Sequence, residues 1–171
     1  MSKKVVLAFS GGLDTSFCVP YLKNEHGYEV HTVMVNTGGF SAEEEKAIEE
    51  RALTLGAASH KNVNAVDTYY NKGIKYLIYG NILKNATYPL SVSSERVFQA
   101  LEVLKHVKEL GADAVAHGST GAGNDQVRFD IVFEVLAPEV EIIAPVREHC
   151  FTRQFEIDYL QKHGFDFSWE K

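Results

Sequence analysis

The chain is poor in several things that would each have marked a function class. It has two cysteines in 171 residues, Cys18 and Cys150, far apart and without CxxC or metal-ligand spacing. That argues against a disulfide scaffold or a zinc module and fits free thiols in a reducing cytoplasm. Basic residues are in deficit, with 17 Lys and Arg against 23 Asp and Glu and a net charge of −6. A broad nucleic-acid footprint normally needs a basic excess on one face, so no nucleic-acid partner is expected. No apolar run approaches the ~20 residues that span a bilayer, so no membrane partner is expected either. Met1-Ser2-Lys3-Lys4 leads straight into a strand-like segment with no cleavable-signal layout, and the expected location is cytoplasmic. Internal repeats, low-complexity tracts and interdomain linkers are also missing. A small anionic ligand passes all these exclusions, because backbone amides bind phosphate without any net positive charge.

What is present is 45% hydrophobic residues in a length that suits one domain with a substantial core. Residues 4–9 read as a buried strand, and a helix is expected from about Asp14 to Lys23, weakened or bent at Pro20. A second strand spans Val30 to Val35. Ser41 and Glu44 form a capping-box signal for a helix with Ile48, Ala52 and Leu55 on one face and Gly56 as its stop. A short strand follows near Lys61 to Val66. Tyr70, Ile74, Leu77 and Ile78 fall at helical spacing, as do Val97, Leu101, Leu104 and Val107 before Gly111. Ala112 to Ala116 is a strand, followed by a helix carrying Val127, Ile131 and Val135. Val140 to Ala144 is the last strand, and Phe155, Tyr159 and Leu160 mark a last helix. Short, nearly all-apolar strands alternating with helices predict an α/β fold: an open, mainly parallel five-stranded sheet with helices on both faces.

Ligands of such sheets bind at the carboxyl ends of the strands. The first such end carries "SGGLDTS", residues 10–16. Its glycines permit a tight turn and a close backbone approach, and the following helix points free N–H groups and a positive dipole end outward. Ser10, Thr15 and Ser16 add hydroxyls, and Asp14 can bind Mg²⁺; a diphosphate suits the set. The same residues also read as a plain glycine turn with a Ser/Thr/Asp cap. No lysine follows the glycines and no G-x-G-x-x-G is present, which separates the turn from both the Walker A loop and the dinucleotide fingerprint. A second loop, "AHGSTGAGNDQVRFD" (116–130), places Asn124 and Arg128 four residues apart on one helical face, where both can address one carboxylate. A cap at Asn124 with Asp125 in the first turn is its plainer reading. A third, "TYPLSVSSER" (87–96), sets Tyr88 and a serine cluster before a helix, and is equally an ordinary loop with a cap.

The first turn resembles the PP-loop, S-G-G-x-D-[ST], of the ATP pyrophosphatases. Together with the Tyr88–Arg96 segment, the "GNDQVRF" run, "LAP" (136–138) and "IIAPVR" (142–147), it resembles the argininosuccinate synthase family along almost the whole chain. That resemblance implies an adenine nucleotide alpha-hydrolase-like fold and an ATP-dependent C–N ligase of arginine biosynthesis. Such enzymes join citrulline and aspartate with release of AMP and pyrophosphate. It implies that Ala8, Phe9, Ser10, Gly11, Gly12, Leu13, Asp14, Thr15, Ser16, Val35 and Gly118 hold ATP, with Asp14 on Mg²⁺ and Asp14 and Ser16 serving catalysis. It further implies Thr120, Asn124 and Asp125 for aspartate, and Tyr88, Ser93, Asn124 and Arg128 for citrulline. Residues 1–171 would be the PP-loop ATP-binding domain, the family's C-terminal synthetase and oligomerisation domain being absent; homotetramers are implied for the full-length protein. Two positions depart from the family pattern: Ser91-Val92-Ser93 stands where many members have a Gly-Thr-Ser run, and Ala122 replaces a lysine common between the glycines. Val92 leaves an altered or acylated citrulline open as a substrate.

Two other functions stay open at this level. A PP-loop tRNA-modifying enzyme shares the turn, but thiolases of that kind usually need catalytic cysteines, and the acidic balance opposes RNA binding. An ATP-binding sensor of the universal stress protein type shares the sheet. There the spacing Gly118-x-x-Gly121 matches in part, but the next expected glycine, ten residues on, is Ile131. His117 reads as structural, Cys18 and Cys150 as plain, Glu43 to Glu45 as a solvated helix start, and Trp169 as packing.

Overall fold

The computed structural model describes residues 2–169. In chain order the elements are β1 (Lys4–Ala8), α1 (Leu13–His26), β2 (Glu29–Asn36), α2 (Ala42–Thr54) and β3 (Ser59–Asn64). A broken helical stretch follows: α3 (Val66–Tyr69), a π turn (Tyr70–Ile74) and α4 (Lys75–Tyr79). Then come the two-residue strands β4 (Leu83–Lys84) and β5 (Tyr88–Pro89), α5 (Ser91–Leu110), β6 (Ala114–His117), α6 (Asp125–Leu136), β7 (Glu141–Ile143), α7 (Pro145–Glu148) and α8 (Arg153–Lys162).

Five of the strands form one sheet in the order β3-β2-β1-β6-β7, every pairing parallel. The chain winds outward from β1 to β3, then returns to the other side of β1 as β6. The switch point therefore lies between β1 and β6, where Ala8 pairs with His117. The loops leaving these two strands must diverge there, and a crevice opens between them. Pleating sorts β1 between two cores. Val5, Leu7 and Phe9 pack under α1, α2 and α8, while Val6 belongs to the core under α5 and α6.

Several expectations need correction. The first helix runs through Pro20, as expected, but extends past Lys23 to His26, where Gly27 caps it at φ 69°. Phe17, Val19 and Leu22 are fully buried around the proline, so tertiary packing outweighs its lost N–H. In α6 the stripe Val127, Ile131 and Val135 faces outward, 48%, 54% and 70% exposed, while Phe129, Val132 and Phe133 are buried. Both faces of this helix are apolar, so periodicity alone could not say which one is inside. Tyr70 and Ile78 likewise remain half-exposed or more, because their helix is broken by the π turn. The loop reading of "TYPLSVSSER" gives way to a small antiparallel hairpin, β4–β5, and then the start of α5.

The capping box at the start of α2 is complete. Glu44 N–H donates to Ser41 Oγ at 3.3 Å, and Ser41 N–H donates to Glu44 Oε2 at 2.8 Å. Replacing Ser41 by Ala removes one half of this exchange. The variant should lose about 1 kcal/mol of stability, seen as a lower urea midpoint at unchanged slope.

Candidate active site

The site begins with a backbone that turns too sharply for a side chain. Gly11 sits at φ 75°, and a Cβ there would stand 3.0 Å from Ile48 Cγ1 on α2. Gly12 is the N-cap of α1, with φ −72° and ψ 174°, and no side chain caps the helix. The first N–H groups of α1 are thus presented at the crevice without an internal acceptor from a cap. Hydroxyls brace the turn: Thr15 Oγ1 donates to Gly12 O at 3.2 Å and lies 3.3 Å from Ser10 Oγ. From the other side the β6 loop presses close. A Cβ on Gly118 would meet Thr15 Cγ2 at 3.0 Å and the Asp14 and Thr15 backbone at 3.1 Å, so glycine is needed for the approach.

The resulting cleft has a volume of about 710 Å³. Of the residues expected around ATP, Ala8, Phe9, Ser10, Gly12, Leu13, Asp14, Thr15, Val35 and Gly118 line it. Gly11 and Ser16 lie behind the wall, and Ser16 is fully buried with a hydroxyl that meets no protein partner. Thr120 and Asp125 line the far end, together with Arg96.

That far end is an ion-pair network spanning α5 and α6. Arg128 Nη1 donates to Asp125 Oδ1 at 2.6 Å, and Arg96 Nε donates to Asp125 Oδ2 at 3.2 Å. The second arm of Arg128 reaches Ser93 Oγ at 3.0 Å. Ser93, Asp125 and Arg128 are therefore brought together. Asn124 begins α6 but makes no cap bond, so the plain-cap reading does not account for its side chain. Tyr88 is exposed on the hairpin, and Val92 is exposed too; Ala122 lines the cleft.

His117 turns out to be a positioning group, as its structural reading anticipated. It is 1% exposed and accepts from Ser119 N–H through Nδ1 at 3.2 Å, which leaves the proton on Nε2 for Asp130 at 2.9 Å. Asp130 also binds Arg147. Burial alone would raise the Asp130 carboxyl; hydrogen bonds from His117 and Arg147 outweigh it and hold the group below the usual carboxylate range. Cys18 lies in the core, its thiol pushed well up by burial and by the acids Glu156 and Asp14. That environment suits packing rather than sulfur chemistry.

Three contributors escaped the sequence reading. Glu95 lines the cleft, accepts from Thr37 Oγ1 at 2.6 Å and pairs with Arg96 at 3.1 Å. Arg153, at the start of α8, lines the cleft as well. Glu156, 1% exposed on α8, lies within electrostatic reach of Asp14, and its Oε2 is buried without a hydrogen-bond partner. Its position four residues before the buried Leu160 was the one available signal, since it falls on the same inward face.

An open parallel sheet with a PP-loop at its switch point defines a nucleotide-binding domain of the α/β class. The sequence profile of the arginosuccinate synthase N-terminal HUP domain matches residues 4–166, and the chain belongs to that family. It is 48% identical over 168 residues to the argininosuccinate synthase of Xanthomonas campestris pv. campestris, covering 96% of this chain and 42% of that protein. The Saccharolobus solfataricus argininosuccinate synthase is 44% identical over 167 residues, covering 98% and 42%. That of Pyrobaculum aerophilum is 44% identical over 163, covering 95% and 41%. The chain thus spans about two fifths of the length of the curated relatives it matches. No helix among the described residues is long and apolar enough to cross a membrane.

Burial first, then the neighbouring Asp14 carboxylate, push the Glu156 carboxyl up to about 8, with Arg153 opposing. An ordinary unfolded-chain glutamate titrates near about 4.3. The folded state therefore keeps a proton that the unfolded chain loses, and stability is fullest below the unfolded value and falls as pH rises through the folded one. Glu156→Gln, which cannot ionise, should gain over the wild type as pH rises. We expect little difference near pH 4.5 and a gain on the order of 2 kcal/mol at pH 7, measured by denaturant titration at each pH.

Proposed function

We propose that this chain is the ATP-binding, PP-loop domain of an argininosuccinate synthase, and that its cleft supports adenylation of citrulline followed by condensation with aspartate. One observation carries the reading. The uncapped amide end of α1, approached closely by Gly118, shares a single cleft with the Arg96–Asp125 ion pair, which Arg128 joins through Asp125. A nucleotide triphosphate and an amino acid can then lie in reach of one another. Family membership and the names of the relatives support the same assignment.

In this reading the adenosine lies between Val35 and Gly118, with its phosphates over residues 10–16. The ureido oxygen of citrulline attacks the α-phosphorus, the bond to the β-phosphate oxygen breaks, and pyrophosphate leaves with that electron pair. The step makes the ureido carbon electrophilic by turning its oxygen into part of a good leaving group. The amine of aspartate, having lost its ammonium proton, then adds to that carbon, and AMP departs with the former ureido oxygen. The α1 amides and the hydroxyls of Ser10 and Thr15 stabilise negative charge on the departing pyrophosphate. Tyr88, Ser93, Asn124 and Arg128 orient citrulline, and Thr120, Asn124 and Asp125 orient aspartate; positioning supplies most of the rate. Asp14, the carboxylate that the Ser10–Ser16 turn places on the cleft wall, fits Mg²⁺, which takes one or two carboxylates with phosphates and water and, when bound, neutralises charge on the polyphosphate. Among the described residues no cluster of three or more acid, histidine or cysteine ligands competes with that mode. Completion of the citrulline site and assembly as a homotetramer draw, in this proposal, on the remaining length that the relatives carry.

The test is pyrophosphate release from Mg·ATP by this chain, with and without citrulline and aspartate. Citrulline-dependent release is the expected result, with Arg128→Ala slowing it by about tenfold or more through loss of a charged hydrogen bond. Release that ignores citrulline, with an Arg128→Ala variant equal to wild type, would overturn the assignment.

A further inference from the structure

The peptide between Gly11 and Gly12 is held from behind by a residue outside the loop. Arg51, near the end of α2, donates from Nη1 to the carbonyl oxygen of Gly11. Its guanidinium carbon lies 5.3 Å from the ring centroid of Phe167 and 5.3 Å from that of Trp169, in the notch between two rings 5.7 Å apart. Both rings pack on the core beneath α1 and α2. Cation–π contact of this kind fixes a guanidinium that would otherwise sample many rotamers.

The consequence follows from the planar trans peptide. The carbonyl of Gly11 and the N–H of Gly12 belong to one rigid unit and point in opposite directions. Tying the oxygen to Arg51, behind the loop, aims the N–H forward, where its nearest acceptor is Ser10 Oγ at 3.5 Å on the cleft wall. With glycine on both sides, this peptide has little steric resistance to a flip, and no cap side chain holds α1 from the front.

We infer that Arg51, clamped by Phe167 and Trp169, is the positioning residue that keeps the Gly11–Gly12 peptide turned with its N–H toward the phosphate site. The residues 165–169 act as a strap on the nucleotide loop. The role rests on the ATP reading given above, but the restraint itself exists without ligand.

Two measurements on the full chain separate the two. Without nucleotide, hydrogen exchange of the segment 10–16 should speed up in Arg51→Met and in the double variant Phe167→Ala/Trp169→Ala, and return towards wild type in Arg51→Lys, which keeps a donor. With Mg·AMP-PNP as the probe, Arg51→Met should bind about tenfold more weakly and Arg51→Lys should recover part of the loss. Trp169 is the only tryptophan, so its emission should change in Arg51→Met and report the broken stack. Unaltered exchange and affinity in Arg51→Met, at a melting temperature equal to wild type, would overturn the inference. If Arg51→Met does not fold, the ring double variant decides on the same readouts. Faster exchange alongside a wild type that binds no nucleotide would uphold the restraint and overturn the ATP reading instead.

Discussion

At Gly11 the chain takes a left-handed turn with Ile48 pressed against the space a Cβ would fill, and everything the cleft does depends on that turn. It allows β1 to end and α1 to begin within a few residues, so that the helix dipole and its unpaired amides meet the crevice at the sheet's switch point. The two contacts that hold it, Ile48 in front of its α-carbon and Arg51 on its oxygen, both come from α2. The helix that looks most like outer scaffolding thus sets the geometry of the loop. Gly118 makes the matching concession from the β6 side, where any side chain would drive the second loop away from α1.

Around this turn, charge is arranged at some expense to stability. Asp125 lies between two guanidiniums, and Asp14 rests on a buried acid from α8. A buried glutamate that keeps its proton is a poor stabiliser compared with the leucine-sized apolar groups around it. Its position beneath Asp14 places the concession at the site rather than at random in the core. His117 and Asp130 differ: both nitrogens of the imidazole are used, and the pair ties the β6 loop to α6. One end of the cleft is therefore built from backbone and the other from side-chain ion pairs.

Much of this was legible in the residues. Alternating apolar strands and helices foretold the parallel sheet, Ser41 and Glu44 foretold a helix start that is present bond for bond, and "SGGLDTS" and "GNDQVRFD" foretold the two loops that meet. Local chemistry explains the success, since caps, glycine turns and strand ends are decided within a few residues. The misses have another origin. Periodicity in α6 picked out the outer stripe because both faces are apolar, and α1 runs past its expected end to the cap at Gly27. Glu156, Arg51 and the rings of Phe167 and Trp169 act across long stretches of chain, and no local pattern announces which distant backbone atom a side chain will reach.

The central claim is that the Ser10–Ser16 turn is a phosphate cradle. A crystal structure of the chain with Mg·AMP-PNP tests it most directly. The account predicts the phosphates over the start of α1, within hydrogen-bond distance of the Gly12 N–H, with the base between Val35 and Gly118. A nucleotide seated elsewhere, or phosphates turned away from α1 toward the arginines of α5 and α6, would contradict it.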